Sequence, residues 1–391
     1  WEDGTKYFSD AILVFKKNEN GTFEKIQSAY LPEGIGEGTS VSLPGGLLCM
    51  GGLTPKGLSA KVYLLSWNSG EIETEEYPSL PFPVKSPAAA VNGNTVYLVG
   101  GETINGTTTQ FLKLDLENLA AGWQIQPSLP APVSGAMAAA QMDGEEVSLH
   151  VFGGRAKLAE DSTTTFYSHV YRFRPSAGKW EKMQNIRLSD GTVLPLAVGV
   201  AVPVGASHIV LAGGDSGETF KKVEKVIESM QNGNSILRAV RDSIWKNHPG
   251  FNKKILVYNT VSDTWFEAGE WDGTPVAVAP AISQGNSFTV LGGEIKPAVR
   301  TPAFQEFSFS VKPVFGWLNY LVLALYFMGM LLLGFYFMRR ENSIDDFFKA
   351  GGRIPWWAAG ISIFATTLSA ITFIAIPARS YAADWRMLIF N

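Results

Sequence analysis

The stretch Thr95-Val96-Tyr97-Leu98-Val99-Gly100-Gly101-Glu102 decides the fold. A short apolar, β-branched run ends abruptly in two glycines and then a charge, which reads as a buried strand stopped by a tight turn. The same ending recurs in Met50-Gly51-Gly52, Phe152-Gly153-Gly154, Ala212-Gly213-Gly214 and Leu291-Gly292-Gly293. After each pair and a variable loop comes a further strand, at Val62–Trp67, Gln110–Leu114, His169–Arg174, Ile255–Asn259 and Phe304–Val311. Trp123, Trp180 and Trp265 close three of these units, and Asn20-Gly21, Asn92-Gly93 and Asn105-Gly106 mark turns.

The first three intervals between pairs lie near the roughly 50-residue kelch period. A ring of such units is an all-β, kelch-type β-propeller, with its inner strands crowded around a central channel where residues without Cβ are needed. Post-glycine strands occur six times, counting Ala11–Phe15, but the glycine pair only five. The expectation is therefore six blades, the first incomplete, with the sixth pair upstream of Trp1. The chain opens on Trp, carries no signal-peptide pattern and closes on an apolar stretch, so it is read as an internal piece of a longer protein.

Two segments break the pattern. Between Gly214 and Lys253 lies a charged, helix-like insertion in which Val223, Val226 and Ile227 share one face. It either covers one mouth of the ring or decorates the surface. After residue 312 the composition changes. Val314–Met338 contains no charged residue and is long enough to cross a bilayer, Arg339-Arg340, Lys349 and Arg353 follow, and a second uncharged run covers Ile354–Ala378. The domains expected are a propeller over 1–312 and membrane helices over 313–391.

The formal net charge of -4 excludes a dedicated nucleic-acid binder, which needs a basic excess to neutralise phosphates. The single cysteine, Cys49, excludes an internal disulfide and reads as a small buried hydrophobe. The four histidines show no metal-ligand spacing such as His-x-x-x-His. The residues directly after the pairs are Leu53, Glu102, Arg155, Asp215 and Glu294, and repeat symmetry puts them on one mouth. Four of the five are charged, which suits a polar, anionic small molecule or ordinary loop solvation. Glu294 differs because Lys296 and Arg300 share its proline-stiffened loop, Gly293-Glu294-Ile295-Lys296-Pro297-Ala298-Val299-Arg300-Thr301. A carboxylate suits proton transfer and a guanidinium suits carboxylate capture, though a structural salt bridge would use the same pair.

That loop resembles the Gly-Glu-x-Lys-Pro-x-x-Arg-Thr motif of N-acetylneuraminate epimerases, the sialic-acid mutarotases, and especially of their cyclically permuted relatives. Trp1-Glu2-Asp3-Gly4, Gly213-Gly214-Asp215 with its insert, and Ile255–Thr260 are similar as well. The likeness covers about residues 1–312, with Ala298 where the family usually has Gly. It implies interconversion of the α and β anomers of sialic acid, with Glu294 and Arg300 as the catalytic pair. Glu294 would be the base, and Arg300 would hold the C1 carboxylate or polarise the anomeric centre. Asp215, Arg155, Glu102 and Lys296 would be weaker substrate contacts.

Residues 314–391 resemble the start of sodium:solute symporters, through Asp345–Arg353 and Trp356–Phe373. The resemblance implies an inverted-repeat fold with Na+ as the coupling ion. It makes the carbonyls of Ala365 and Leu368 sodium ligands, and Thr367, Ser369 and Thr372 substrate contacts; helix packing is the plainer use of those hydroxyls. Two functions then compete. One is a mutarotase that supplies one anomer to a fused sodium-driven sialic-acid transporter. The other is a non-catalytic kelch module that tethers a glycan or a protein. A sugar sensor would call for a kinase or regulator downstream instead.

The basic cluster over 339–353 is expected in the cytoplasm, which puts the propeller outside, periplasmic in a Gram-negative cell, beside an inner membrane whose lipid surrounds the helices. A cysteine placed in the propeller should then react with an impermeant thiol reagent in intact cells, and one in the 339–353 loop should not. The reverse pattern would sink this orientation.

Overall fold

The computed structural model describes residues 7–18, 21–158, 163–231, 237–284, 287–309, 316–339 and 355–367. It divides into two compact units, Trp1–Ser308 and Phe309–Asn391. In the first, each glycine pair ends the second strand of an antiparallel sheet. The first blade runs Thr39–Leu43, Gly46–Met50, Val62–Asn68, Glu71–Tyr77. The second runs Ala88–Asn92, Thr95–Val99, Phe111–Asp115, Gln124–Ile125. The third runs Met137–Met142, Val147–Phe152, Val170–Arg174, Lys179–Met183, and the fourth Val200–Val204, His208–Ala212, Lys254–Asn259, Thr264–Glu270. The fifth has three strands, Ala281–Gln284, Ser287–Leu291 and Phe304–Ser308.

Six blades are not formed. Among the described residues there are five blade sheets and a separate two-stranded hairpin, Ala11–Lys17 with Phe23–Tyr30. Among the described residues no further strand pairs with the hairpin. It still carries the hydrogen bonds that link the outer half of one blade to the next. Leu31 N donates to Asp10 O and Ile35 N to Ser9 O, as Leu129 N donates to Thr109 O and Val133 N to Thr108 O.

Neighbouring blades meet through apolar faces. Tyr97, Phe111, Leu149 and Phe173 pack between the second and third blades, and Phe152, Leu211, Leu256 and Tyr258 between the third and fourth. The closing tryptophans fasten each blade to the one before. Trp123 Nε1 donates to Pro78 O at 2.8 Å, Trp180 Nε1 to Pro127 O at 2.8 Å, and Trp265 Nε1 to Gln184 O at 3.3 Å. Phe304 stands opposite Leu291 as Phe111 stands opposite Val99. Its ring meets Phe15 at 4.9 Å and Phe23 at 4.7 Å, while Phe111 meets Phe173 at 4.8 Å and Trp180 at 4.9 Å. With the Lys17–Glu306 ion pair at 2.6 Å, this brings the hairpin against the fifth blade.

The expected insertion folds into helices α1, Glu218–Gln231, and α2, Leu237–Lys246, with Val223 buried and Ile227 largely exposed. Burial holds the Cys49 thiol up at about 11, protonated and inert at neutral pH. In the second unit, α3 spans Trp317–Met338, and its Trp317–Tyr336 stretch is long and apolar enough to cross a membrane. Helix α4, Trp356–Thr367, is shorter. The rest of the second expected span, and the basic 340–353 stretch, lie outside the described residues.

One buried polar cluster ties the third blade together. The Asp143 carboxylate has no exposure and accepts from Arg174 Nε at 2.7 Å, Ser148 Oγ at 2.8 Å and the backbone N–H groups of Glu145 and Glu146. Arg172 approaches it at 3.4 Å and also pairs with Glu181. Burial alone would raise the carboxyl, but these donors outweigh it and hold the group at about 2. A depressed carboxyl contributes stability that is present above its unfolded value near 3.8 and is lost as pH falls toward 2. Nearby His150 is held down to about 4 by burial, so its own loss falls in a higher window. Asp143→Asn should lower unfolding stability at pH 7 by about 3 kcal/mol, since it leaves two arginines without their buried acceptor. It should also abolish roughly 2 kcal/mol of the parent's stability loss between pH 4 and pH 2. Denaturant titrations of both proteins across that range check this, and parallel curves would refute it.

Candidate functional site

The glycine pairs build the mouth. In the pair Gly100-Gly101 both residues have positive φ, 65° and 97°, and a Cβ on Gly100 would collide with the carbonyl of Val133 in the next blade. Gly101 N donates to that same carbonyl at 2.7 Å. Gly52, Gly154 and Gly214 make the matching bonds to Val84, Leu196 and Val276. The residue after each pair is then fixed by a reciprocal backbone bridge to the loop that leads into its own blade: Leu53 with Gly36, Glu102 with Lys85, Arg155 with Ser134, Asp215 with Ala197, and Glu294 with Ala277. The five positions are thus equivalent in the fold, as the repeat implied.

Their side chains are not equivalent. Glu102 accepts from Ser134 Oγ at 2.9 Å and pairs with Lys85 at 3.2 Å, which also pairs with Glu37 at 3.1 Å. Asp215 accepts from Gly217 N at 2.9 Å and so fixes the chain as it enters α1. Lys296 donates to the carbonyl of Lys246 at 3.3 Å, at the end of α2. Between these two sits buried His248, kept neutral chiefly by desolvation. Asp215 and Lys296 therefore brace the helical insertion from the two sides of its attachment.

Glu294 and Arg300 come together as a cross-strand pair in a ribbon, Glu294–Lys296 with Val299–Arg300. Arg300 Nη2 lies 3.4 Å from Glu294 Oε1, with the carboxylate side chain 21% exposed and the guanidinium 68%. Desolvation raises the Glu294 carboxyl above the ordinary range, opposed by Arg300, by the Ala298 backbone N–H and by the charge of Arg155. The ribbon turns at Ala298, whose φ is 63°. Gly57 and Gly106, at φ 120° and 99°, stand at the matching turns of the first two blades, so alanine here carries roughly 1 kcal/mol of backbone strain.

Arg155 lies against rings. Its guanidinium carbon is 4.8 Å from the Phe220 centroid and 5.8 Å from that of Phe166. Phe220 comes from α1, so the insertion lines the mouth. Phe220, Phe166, Lys85 and Ser134 were missed in the sequence; Lys85 and Ser134 stand at a near-constant interval ahead of Glu102 and Arg155, a signal the repeat contained. Of the membrane-side positions, Ala365 is exposed in α4 and Thr367 ends that helix, while Leu368, Ser369 and Thr372 lie outside the described residues.

A family model described as N-acetylneuraminate epimerase matches residues 77–324. The chain belongs to the N-acetylneuraminate epimerase family. The epimerase of Salmonella arizonae is 28% identical over 57% of this chain and 56% of its own length. The Sodium/sialic acid symporter NanT of Aliivibrio fischeri is 60% identical over 75 residues, 19% of this chain and 15% of the symporter. A Proteus mirabilis sodium/sialic acid symporter, SiaT, is 56% identical over a stretch of the same length. The chain thus spans about half the length of these epimerases and a small part of these symporters. A solved structure named "Structure of YjhT" matches with a TM-score of 0.51 at 24% identity, over 60% of this chain and 66% of that one, and supports the propeller fold.

Proposed function

We propose that residues 1–312 form a mutarotase that interconverts the anomers of N-acetylneuraminate, with no cofactor. The observation that carries this reading is the Glu294–Arg300 pair: a half-buried carboxyl displaced upward by desolvation and paired with an exposed guanidinium, on the rim of an epimerase-family propeller. Glu294 takes the proton from the anomeric hydroxyl as the bond from the anomeric carbon to the ring oxygen breaks. The ring oxygen takes up a proton, and the open keto form results. Closure on the other face of the carbonyl reverses these transfers and gives the second anomer. Arg300 steadies the charge that develops at the anomeric centre.

The symporter likeness belongs to residues 313–391 on this reading, as the opening helices of a cyclically permuted epimerase–symporter fusion. The propeller would supply one anomer for sodium-driven uptake. Sodium is there a transported ion, with the carbonyls of Ala365 and Leu368 offered to it and Thr367, Ser369 and Thr372 to the sugar. Helix α3 would cross the membrane with the propeller on its outer side.

A positioned base contributes roughly a hundred- to ten-thousand-fold in rate. Glu294→Gln should slow anomer exchange by about that factor, read by proton NMR of freshly released α-sialic acid, with little change in thermal midpoint. Full activity in the Gln variant would remove Glu294 as the base. A parent no faster than the background would favour the binding module.

We also propose that the hairpin Ala11–Lys17 and Phe23–Tyr30 is the outer half of a sixth blade. Its packing on Phe304 and its bonds to Leu31 and Ile35 support this. At Gly293, among the described residues, the N–H lacks the next-blade carbonyl that Gly101 and its counterparts bind. An added pair of strands ahead of residue 1, ending in Gly-Gly, should pair with Ala11–Lys17 and slow amide exchange there by a hundredfold or more, about 3 kcal/mol of local protection. Unchanged exchange at those amides would defeat the sixth-blade reading.

A further inference from the structure

We propose that Arg155 is the anchor for the carboxylate of the substrate and sets the acid sugar in register with Glu294. This rests on the mutarotase reading and deepens it. Arg155 follows Gly153-Gly154, so it stands on the same rim as Glu294, with its backbone clamped to Ser134 by bonds of 2.8 and 2.9 Å. Its guanidinium is braced by Phe220 at 4.8 Å and Phe166 at 5.8 Å, and those rings meet edge to face at 5.4 Å. Stacking engages the flat face of a guanidinium and leaves its edge donors free for a planar, two-oxygen acceptor.

The other cations around the mouth are already engaged, Lys296 with the Lys246 carbonyl and three more with carboxylates. Arg300 has Glu294, Lys85 has Glu37 and Glu102, and Lys157 has Glu224. Among the described residues no carboxylate lies within ion-pair distance of Arg155. It faces a cavity of about 570 Å³, lined also by Lys85, Glu102, Thr107, Thr164 and Phe220. If Arg300 took the substrate carboxylate, it would have to leave the base it now holds. Arg155 can take it without disturbing that pair. Its charge also reaches Glu294 and opposes the upward displacement of that carboxyl. A substrate carboxylate on Arg155 cancels this field, so binding itself makes Glu294 a stronger base.

The test compares N-acetylneuraminate with its uncharged methyl ester on the full chain in detergent. Charge-assisted hydrogen bonds of this kind correspond to roughly ten- to a hundredfold in binding. The parent should prefer the acid over the ester by about that factor in kcat/KM. In Arg155→Gln the preference should fall to near unity, chiefly through a raised KM for the acid. Arg155→Lys should recover part of the preference. The acid-to-ester ratio is measured within one preparation, so partial misfolding does not affect it. A preference that persists in Arg155→Gln, or that disappears in Arg300→Gln instead, overturns the assignment. A parent that accelerates anomer exchange of neither compound overturns the mutarotase reading, and this assignment with it.

Discussion

The frame of the mouth depends on one backbone contact, the approach of four glycine pairs, Gly51-Gly52, Gly100-Gly101, Gly153-Gly154 and Gly213-Gly214, to a carbonyl of the following blade. At Gly100-Gly101 the carbonyl of Val133 occupies the space a Cβ would need and accepts the second glycine's N–H. The contact sets blade spacing without any side chain. The next residue is fixed by its own bridge, Lys85–Glu102 beside that contact and Ala277–Glu294 without it. Chemistry can therefore vary at that residue while the frame stays the same. Leu53 and Glu294 stand in equivalent backbone settings and share nothing else.

A second ring of bonds runs inside the first. Ser86 N donates to Glu37 O, Gly135 N to Ser86 O, Val198 N to Gly135 O and Val278 N to Val198 O. All five residues have φ between 50° and 60°, a conformation that L-residues such as valine avoid in isolation. At the four positions other than Gly135, roughly 1–3 kcal/mol of strain must be offset by packing, so the contacts between blades dictate the local geometry. The apolar faces between blades supply that packing, with Phe111, Phe173 and Trp180 as the clearest case.

Strands and turns were legible because their cause is local. Apolar alternation, Asn92-Gly93 and the glycine pairs act within a few residues of themselves. The insertion was legible as helix, from Val223 and its neighbours, but its role was not. That Phe220 braces Arg155 depends on how α1 returns across the third blade, a relation between residues distant in sequence. The same holds for Glu102, which looked like a free rim charge and is committed to Lys85 and Ser134. For Asp215 the sequence did not show that it also fixes the entry to α1. Counting post-glycine strands gave six units where five blade sheets and one hairpin form among the described residues, because a strand pattern does not record how many strands join each sheet.

The electrostatic pattern of the mouth follows from this division of labour. Three rim carboxylates, Glu37, Glu102 and Asp215, are held by a lysine or a backbone N–H. Glu294 is held by one exposed guanidinium at 3.4 Å and by the Ala298 backbone N–H. Burial pushes its carboxyl up and two arginines push it down. The two arginines differ in what could relieve them. Arg300 lies against the carboxylate itself, while Arg155 is set apart and braced on rings. An anionic ligand that met Arg155 would leave burial opposed by one arginine instead of two, and the basicity of Glu294 would then rise only when such a ligand is in place.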